Sequence, residues 1–374
     1  MAKALPPKLS ASSGMSEIPD RWYPELALAR PEGVFRSSPE SFFVEEVLPF
    51  AADGEGDHAW LWVEKTRRHT EEVARLLARF AGVPARDVGY AGLKDYQART
   101  RQAFTVPLVG REELDWGQFA AAGVQILAID RHRRKLRRGV HRGNRFRIHV
   151  RDANDSTAWE NALRVLAQQG FPNYFGAQRF GHDNLAAAGR LLTGGRRGRM
   201  PHHLRALLWS TARSALFNLV LAERVRQKSW NCILPGEIIQ LAGTHSQFRA
   251  GAEELAELQA RADAWDLHPT GPLPGKAAGQ SKGLVGELEA EILAAWHGGD
   301  DSPGNGMAWA AALASQGLDA ARRALRCRPE DMSVHAPQAG EIVLQFFLPQ
   351  GSYATVLLEA LGVKSEKMSS DPCP

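Results

Sequence analysis

The chain has 374 residues, of which 44% are hydrophobic and 24% charged. That balance provides for a sizeable core and excludes a disordered or fibrous protein, and the length suits about two domains of ordinary size. With 46 Lys and Arg against 42 Asp and Glu the formal charge is only +4, so where the charges lie matters more than their sum. Cys232, Cys327 and Cys373 are odd in number and far apart. They fit neither a disulfide framework nor a zinc spacing and read as reduced thiols.

Residues 1–20 are rich in Pro, Ser and Lys and lack an apolar stretch of signal-peptide length, so a flexible leader is expected there. No run of about 18 apolar residues occurs, which argues against a membrane-spanning helix, and a cytoplasmic location is expected. Ala59 to Lys65 (AWLWVEK) is apolar on both alternating faces, as in a strand covered on both sides. Thr70 then offers an N-cap, and Glu71 and Glu72 suit the positive end of a helix dipole. Val73, Leu76, Leu77 and Phe80 follow at helical spacing, and Gly82 and Pro84 supply the stop. Val124 to Ile129 reads as a strand. Arg145 to Arg151 (RFRIHVR) alternates strictly, with Phe146, Ile148 and Val150 on one side and the basic residues on the other.

From about residue 156 the pattern turns helical. Thr157 and Glu160 have capping-box spacing at the head of a helix that stops at Gly170. Further helices are predicted at 204–227, 252–265, 283–297 and 307–326, separated by Gly/Pro segments such as 270–275 (TGPLPG). Strand character returns at Glu341 to Leu348, followed by Pro349-Gln350-Gly351-Ser352 and a helix from about Ala354. The expected architecture is α+β: a mixed domain (21–169 plus 328–370) interrupted by a helix-rich domain (170–327).

The basic residues are clustered. Between Arg131 and Arg151 lie ten Lys and Arg, three His and no acid, and a second cluster includes Arg196, Arg197, Arg199, His202, His203 and Arg205. A solvated loop is the ordinary explanation of such a run, but this one continues into a strand that gathers Arg145, Arg147 and Arg151 on one face. A polyanion is the expected partner.

Three segments look built for chemistry. In Val88 to Val106, Gly89 and Gly92 bracket an apolar stretch that delivers Lys94 and Asp95 into a turn, followed by Arg99-Thr100-Arg101-Gln102. A carboxylate among cations would have its charged form favoured, which suits a nucleophile or base, although Lys-Asp is also an ordinary turn pair. His141 to Ile148 (HRGNRFRI) carries a Gly143-Asn144 turn into the Arg145 strand; Asn144 is either a turn residue or an amide facing a base, and Phe146 is by default core. Phe171 to Gly181 (FPNYFGAQRFG) is either a packed junction or a platform on which bases stack.

GLKD with A-x-TRQ, H-x-GN-x-F and PNYFGAQRFG together closely resemble the tRNA pseudouridine synthase D family, and the match continues in WSTARSALFN (209–218) and LPQGSYAT (348–355). The resemblance implies a pseudouridine-synthase catalytic domain around an antiparallel sheet, with a family-specific insertion. It implies conversion of uridine at position 13 of certain tRNAs to pseudouridine, without cofactor or metal. By the same resemblance Asp95 is the catalytic carboxylate, acting as nucleophile or as a base at the ribose. Arg36, in Phe35 to Phe42, is its expected cationic partner. Phe42, Asn144, Phe146 and Tyr353 are the expected substrate-pocket residues, Tyr353 standing where the family more often has Phe. Arg133, Arg134, Lys135, Arg137, Arg138, Arg145 and Arg147 are the expected phosphate contacts. tRNA is then the partner, with no membrane and no obligate protein partner, and a monomer is expected. A non-catalytic RNA-binding protein on the same fold remains an alternative; a glycoside hydrolase fits poorly, because no second acid accompanies Asp95 in a comparable motif.

Overall fold

A computed structural model of the protein describes residues 31–36, 38–108, 114–181, 183–194, 200–276, 281–297 and 304–366, the side chain of Arg36 excepted. The expected leader, Cys373 and the Arg196, Arg197 and Arg199 part of the second basic cluster lie outside the described residues. In chain order the strands are β1 (Val34–Arg36), β2 (Phe42–Val47), β3 (His58–Thr66), β4 (Gly89–Tyr90), β5 (Arg99–Pro107), β6 (Val124–His132), β7 (Gly143–Arg151), β8 (Phe171–Pro172), β9 (Ile238–Leu241), β10 (Gln247–Arg249), β11 (Leu267–Leu273), β12 (Ala321–Ala324), β13 (Arg326–Cys327), β14 (Glu330–His335), β15 (Glu341–Pro349) and β16 (Lys364–Glu366). The helices are α1 (Thr70–Ala81), α2 (Ser156–Gln169), α3 (Asn184–Leu192), α4 (His202–Arg226), α5 (Leu255–Asp263), α6 (Gly283–Ala295), α7 (Gly306–Ser315) and α8 (Ala354–Ala360). The chain divides into two compact units, one from Leu26–Gln168 and Arg328–Pro374, the other holding Gln169–Cys327.

The first unit is built on a sheet in the order β14-β15-β7-β2-β5-β3-β6. Its neighbours are antiparallel except for β2 beside β5, while β1 adds a parallel pairing with β16. Period-2 alternation fixes which residues share a face. On β3, Leu61, Val63 and Lys65 point one way, and α1 covers that face with Val73, Leu77 and Ala78, all essentially buried. Gly82 ends α1 in the left-handed conformation at φ 63°, and its N–H and that of Val83 close onto Arg79 and Ala78. This is the stop that a C-terminal glycine provides. Thr70, expected as the N-cap, is instead the first helical residue; His69 holds the N-cap position without a side-chain cap bond, and the Thr70 hydroxyl turns into the sheet.

In the second unit the long α4 is buried around much of its surface and packs with α3, α6 and α7 through Leu216, Val220, Trp296 and Trp309. Its chain ends are tied together: β8 pairs with β13, Cys327 opposite Phe171. Just before β8, Gly170 has φ +70°, and a Cβ there would lie 2.4 Å from the Cys327 carbonyl. The aromatic run that follows is core, since Phe171, Tyr174 and Phe180 are almost fully buried. Asn218 holds it with an amide pincer on the Phe175 backbone, 2.9 Å from N and 3.0 Å from O. Those rings therefore form a packed interior rather than a stacking platform.

Two expectations for this unit are corrected. The pattern at 307–326 is not one helix: α7 ends at Ser315, Gly317 takes φ +77°, and 321–324 form β12. The TGPLPG segment is not a separator, because its first residues complete β11, the partner of β12 in a four-stranded sheet β10-β9-β11-β12. Arg322 and Arg323 in β12 reach to opposite sides, to Glu289 and to Asn173, so helix-like composition masks a short alternation.

α4 is joined to this sheet by a buried ion pair, Arg224 to Glu237 at 3.0 Å, with both side chains out of solvent. Arg224 also donates to the carbonyls of Ser229 and Cys232, while Glu237 accepts from the Thr270 amide. Removing one partner strands a buried charge. Arg224→Met is expected to destabilise the protein by about 3–5 kcal/mol in denaturant unfolding, and Arg224→Met with Glu237→Leu to recover most of that loss.

Candidate functional site

Four adjacent strands present polar side chains on the face covered by α1. The register sets Phe42, Val44 and Glu46 of β2 opposite Ile148, Phe146 and Asn144 of β7. On the other side Val44 lies beside Thr100 of β5, and Lys65 and Val63 of β3 pair with Thr100 and Gln102. Into an apolar face the sequence thus sets Glu46, Asn144, Gln102 and Lys65, and each is paired because an orphaned buried polar group is costly.

The segment Gly92 to Tyr96 crosses this face and carries Lys94 and Asp95. Its main chain is held at four points. Gln102 donates to the Gly92 carbonyl (3.1 Å), the Lys94 amide donates to Thr70 Oγ1 (2.9 Å), and Lys65 Nζ donates to the carbonyls of Asp95 (2.9 Å) and Lys94 (3.4 Å). The Thr70 hydroxyl in turn donates to Gln102 Oε1 at 2.9 Å. Lys94 does not spend its charge in a hydrogen bond to Asp95. Its Nζ lies 2.9 Å from Glu46 Oε1, with both side chains buried, and 2.6 Å from Asn144 Oδ1. An ammonium can only donate, so the Asn144 oxygen must face Lys94 and its NH₂ is turned away.

The electrostatics differ from expectation. Burial pushes the Asp95 carboxyl above its ordinary value, and the opposing pull of Lys65 and then Lys94 does not cancel it. The residue as a whole is nevertheless exposed to solvent. Its charged form is less favoured than the neighbouring cations suggested, because desolvation outweighs them. Burial likewise raises Glu46 against the pull of Lys94. His141 is pushed down to about 4 by burial and by Lys94, which keeps its imidazole neutral at physiological pH. Its Nδ1 has no hydrogen-bond partner among the described residues. A Cβ on Gly92 would meet His141 Cε1 at 3.2 Å, so the loop passes close over the imidazole.

Beside this cluster the aromatic rings form a row. Phe42 stacks on Phe146 at 6.1 Å between centroids, Phe146 on Phe346 at 5.3 Å, and Phe35 meets Phe42 edge-on at 5.4 Å. Phe42 and Phe146 are 6% and 8% exposed. Tyr353, half-buried, precedes α8 in the turn after β15, whose Leu348 and Pro349 pair with Asn144 and Gly143. That turn leaves the sheet at the Asn144 end. Arg36 contributes its backbone to β1, and its side chain lies outside the described residues.

The basic residues separate into two groups. Arg145 and Arg147 alternate with Asn144 and Phe146 on β7 and therefore face away from the Asp95 side of the sheet. There Arg145 lies 3.7 Å from Asp331, and nearby Arg99 and Arg101 both sit 5.1 Å over the Phe43 ring. By contrast, the loop from Arg133 to His141 starts on that same far face, where Leu136 packs with Trp60 and Ala103 and its N–H donates to Thr105 Oγ1, and reaches the Asp95 segment only at its end, where Gly139 N–H donates to the Ala91 carbonyl. The absence of acids within this run is partly offset from elsewhere in the chain. Arg133 pairs with Glu55, Arg138 stacks on Tyr90 and nears Glu71, and Lys135 donates to the Arg86 carbonyl. Arg134 and Arg137 are exposed.

Lys65, Glu46, Thr70 and His141 were not among the expected site residues. Lys65 ends an otherwise apolar strand pattern, and a lysine on its inward face was the available signal. Among the described residues no group of His, Cys, Asp and Glu could hold a metal ion, and no helix is long and apolar enough to cross a membrane.

A family model described as tRNA pseudouridine synthase D (TruD) matches residues 27–196 and 193–361. The chain is similar to proteins named tRNA pseudouridine synthase D from Proteus mirabilis (40% identical, covering 93% of this chain and 96% of the relative) and Chromohalobacter salexigens (41%, covering 93% and 98%). In fold it is similar to a solved structure from Methanosarcina mazei described as a putative tRNA pseudouridine synthase D, with a TM-score of 0.70 at 19% identity over 90% of this chain and 95% of that one. Motifs, fold and relatives agree along nearly the whole length, and the chain belongs to the tRNA pseudouridine synthase D family.

Proposed function

We propose that this chain is a tRNA pseudouridine synthase that converts uridine, at position 13 of certain tRNAs, to pseudouridine, with Asp95 as nucleophile. The observation that carries the reading is the clamped Gly92 to Tyr96 loop, which presents the exposed Asp95 while its neighbour Lys94 reaches Asn144, on the sheet face that also carries Phe42 and Phe146. In the reaction the C1′–N1 bond breaks, the uracil turns, C5 bonds to C1′, C5 loses its proton and N1 gains one. Atoms and electrons balance within the nucleoside, so no co-reactant is required. A nucleophilic Asp95 would bond covalently for part of this sequence and be released at the end.

The target nucleoside must leave the RNA stack to reach such a loop. The stacking it gives up is worth about 1–3 kcal/mol per base, and apolar ring surface is what replaces it. In this reading Phe42 and Phe146 form the apolar wall, the Asn144 NH₂ donates to a uracil carbonyl, and Tyr353 borders the base. The exposed Leu93 and Tyr96 flank Asp95, and Tyr96 lies against His69 at 4.9 Å. They would meet the nucleotides next to the extruded one.

We place tRNA docking on the Arg133 to His141 loop, with Arg134, Arg137, Lys135, Arg133 and Arg138 toward phosphates. Arg145 and Arg147 are left out of the site because of the face they occupy. The protein works as a monomer in the cytoplasm, without cofactor or metal. The alternative of a non-catalytic RNA-binding protein uses the same basic loop but has no need of an ordered Asp95.

Asp95→Asn is expected to abolish pseudouridine formation while leaving tRNA affinity within about threefold, measured by product analysis and filter binding. Undiminished turnover would remove Asp95 from the reaction, and absence of turnover in the unaltered protein would favour the binding protein. Arg134→Ala with Arg137→Ala should weaken tRNA binding and flatten the dependence of log affinity on log salt by about one unit for each phosphate left without its arginine. An unchanged slope would move the docking surface elsewhere.

A further inference from the structure

We infer that Lys65 is a positioning residue for the proposed reaction, holding the Asp95 peptide in place from beneath the loop and setting a buried positive charge against its carboxylate. The inference deepens the functional reading above and rests on it. Lys65 follows Leu61 and Val63 on the inward side of β3 and is only 1% exposed. A lysine at such a place costs desolvation that an apolar residue would avoid, so its donors need strong acceptors. Its two acceptors are consecutive carbonyls of the loop, those of Lys94 and Asp95. Thr70 grips the Lys94 amide, so the peptide units on both sides of Lys94 are fixed.

Among the described residues the charged groups around this ammonium are few. From the loop, Asp95 favours its charge and Lys94 opposes it. Glu46 of β2 and His141 reach the cluster through Lys94, and α1 contributes the uncharged Thr70. Of the two lysines acting on the Asp95 carboxyl, Lys65 has the larger effect and Lys94 the smaller. Burial lowers Lys65 to about 8. It is therefore charged below that pH and becomes neutral as pH rises through it, at which point both the clamp and the field on Asp95 weaken.

The test is single-turnover pseudouridine formation on tRNA across pH 5–9.5 with Lys65→Met and Lys65→Arg, alongside thermal melting and tRNA affinity. The unaltered protein should lose rate above about pH 8. Lys65→Arg, whose guanidinium stays charged, should lose that alkaline decline. Lys65→Met should be at least tenfold slower at pH 7 with tRNA affinity within threefold, and its acid limb should move to higher pH. The inference fails if Lys65→Arg keeps the same alkaline decline, or if folded Lys65→Met stays within threefold of the unaltered rate. Carbon-13 titration of the Asp95 carboxyl in the RNA-free protein provides a readout independent of turnover. Its pKa should rise further in Lys65→Met, and an unmoved titration would also overturn the inference. Failure of the unaltered protein to form pseudouridine would count against the functional reading and leave the titration to decide Lys65.

Discussion

A carboxylate surrounded by protein resists ionisation unless positive charge is held nearby, and that positive charge must itself be kept from drifting to water. In the strand-rich unit both needs are met by the same construction. Lys65 is rooted in β3 and reaches the main chain of the Asp95 loop, while Lys94 within that loop turns back to Glu46 on β2 and Asn144 on β7. Three strands of one sheet, β7, β2 and β3, and one loop are thereby tied through two ammonium groups. Each pairing depends on strand register, because a one-residue slip would turn Glu46, Asn144 and Lys65 to the opposite face.

Much of this frame was readable from local pattern. Helix α1 and strand β7 carry periodicities strong enough to fix both type and inward face, β3 reads as a strand apolar on both faces, and the motif resemblance pointed to the α+β fold that the family comparison shows. Even the separation of Arg145 and Arg147 from Asn144 was implicit in the alternation of β7, although charge clustering along the chain suggested a single footprint. What local pattern could not show depends on groups that meet only when the chain folds. Thr70 looks like a helix cap until Gln102 and Lys94, 32 and 24 residues away, claim its hydroxyl. Glu46 is one acid in an acidic pair, and only its burial against Lys94 distinguishes it from Glu45. The upward push on Asp95 likewise required knowing how much protein surrounds it, since counting cations along the sequence gives the opposite sign.

The second unit illustrates a different limit. Its helices are plain in the sequence, but β11 and β12 were hidden by Pro-Gly composition and by two adjacent arginines that serve opposite sides of a short strand. The aromatic motif that most sharply marks the family is spent on interior packing, where Asn218 and Arg323 secure the backbone around Phe175. A segment can thus be diagnostic of a family through the packing it specifies while the proposed reacting group, Asp95, lies in another unit.

The account stands on Asp95 meeting a uridine of tRNA. Mapping pseudouridine at nucleotide resolution in total tRNA, from cells carrying the unaltered chain, cells lacking it and cells carrying only Asp95→Asn, addresses this directly. The expected result is pseudouridine at position 13 of a subset of tRNAs in the first cells and uridine there in the other two. Pseudouridine persisting at that position in cells with only the Asp95→Asn chain would contradict it.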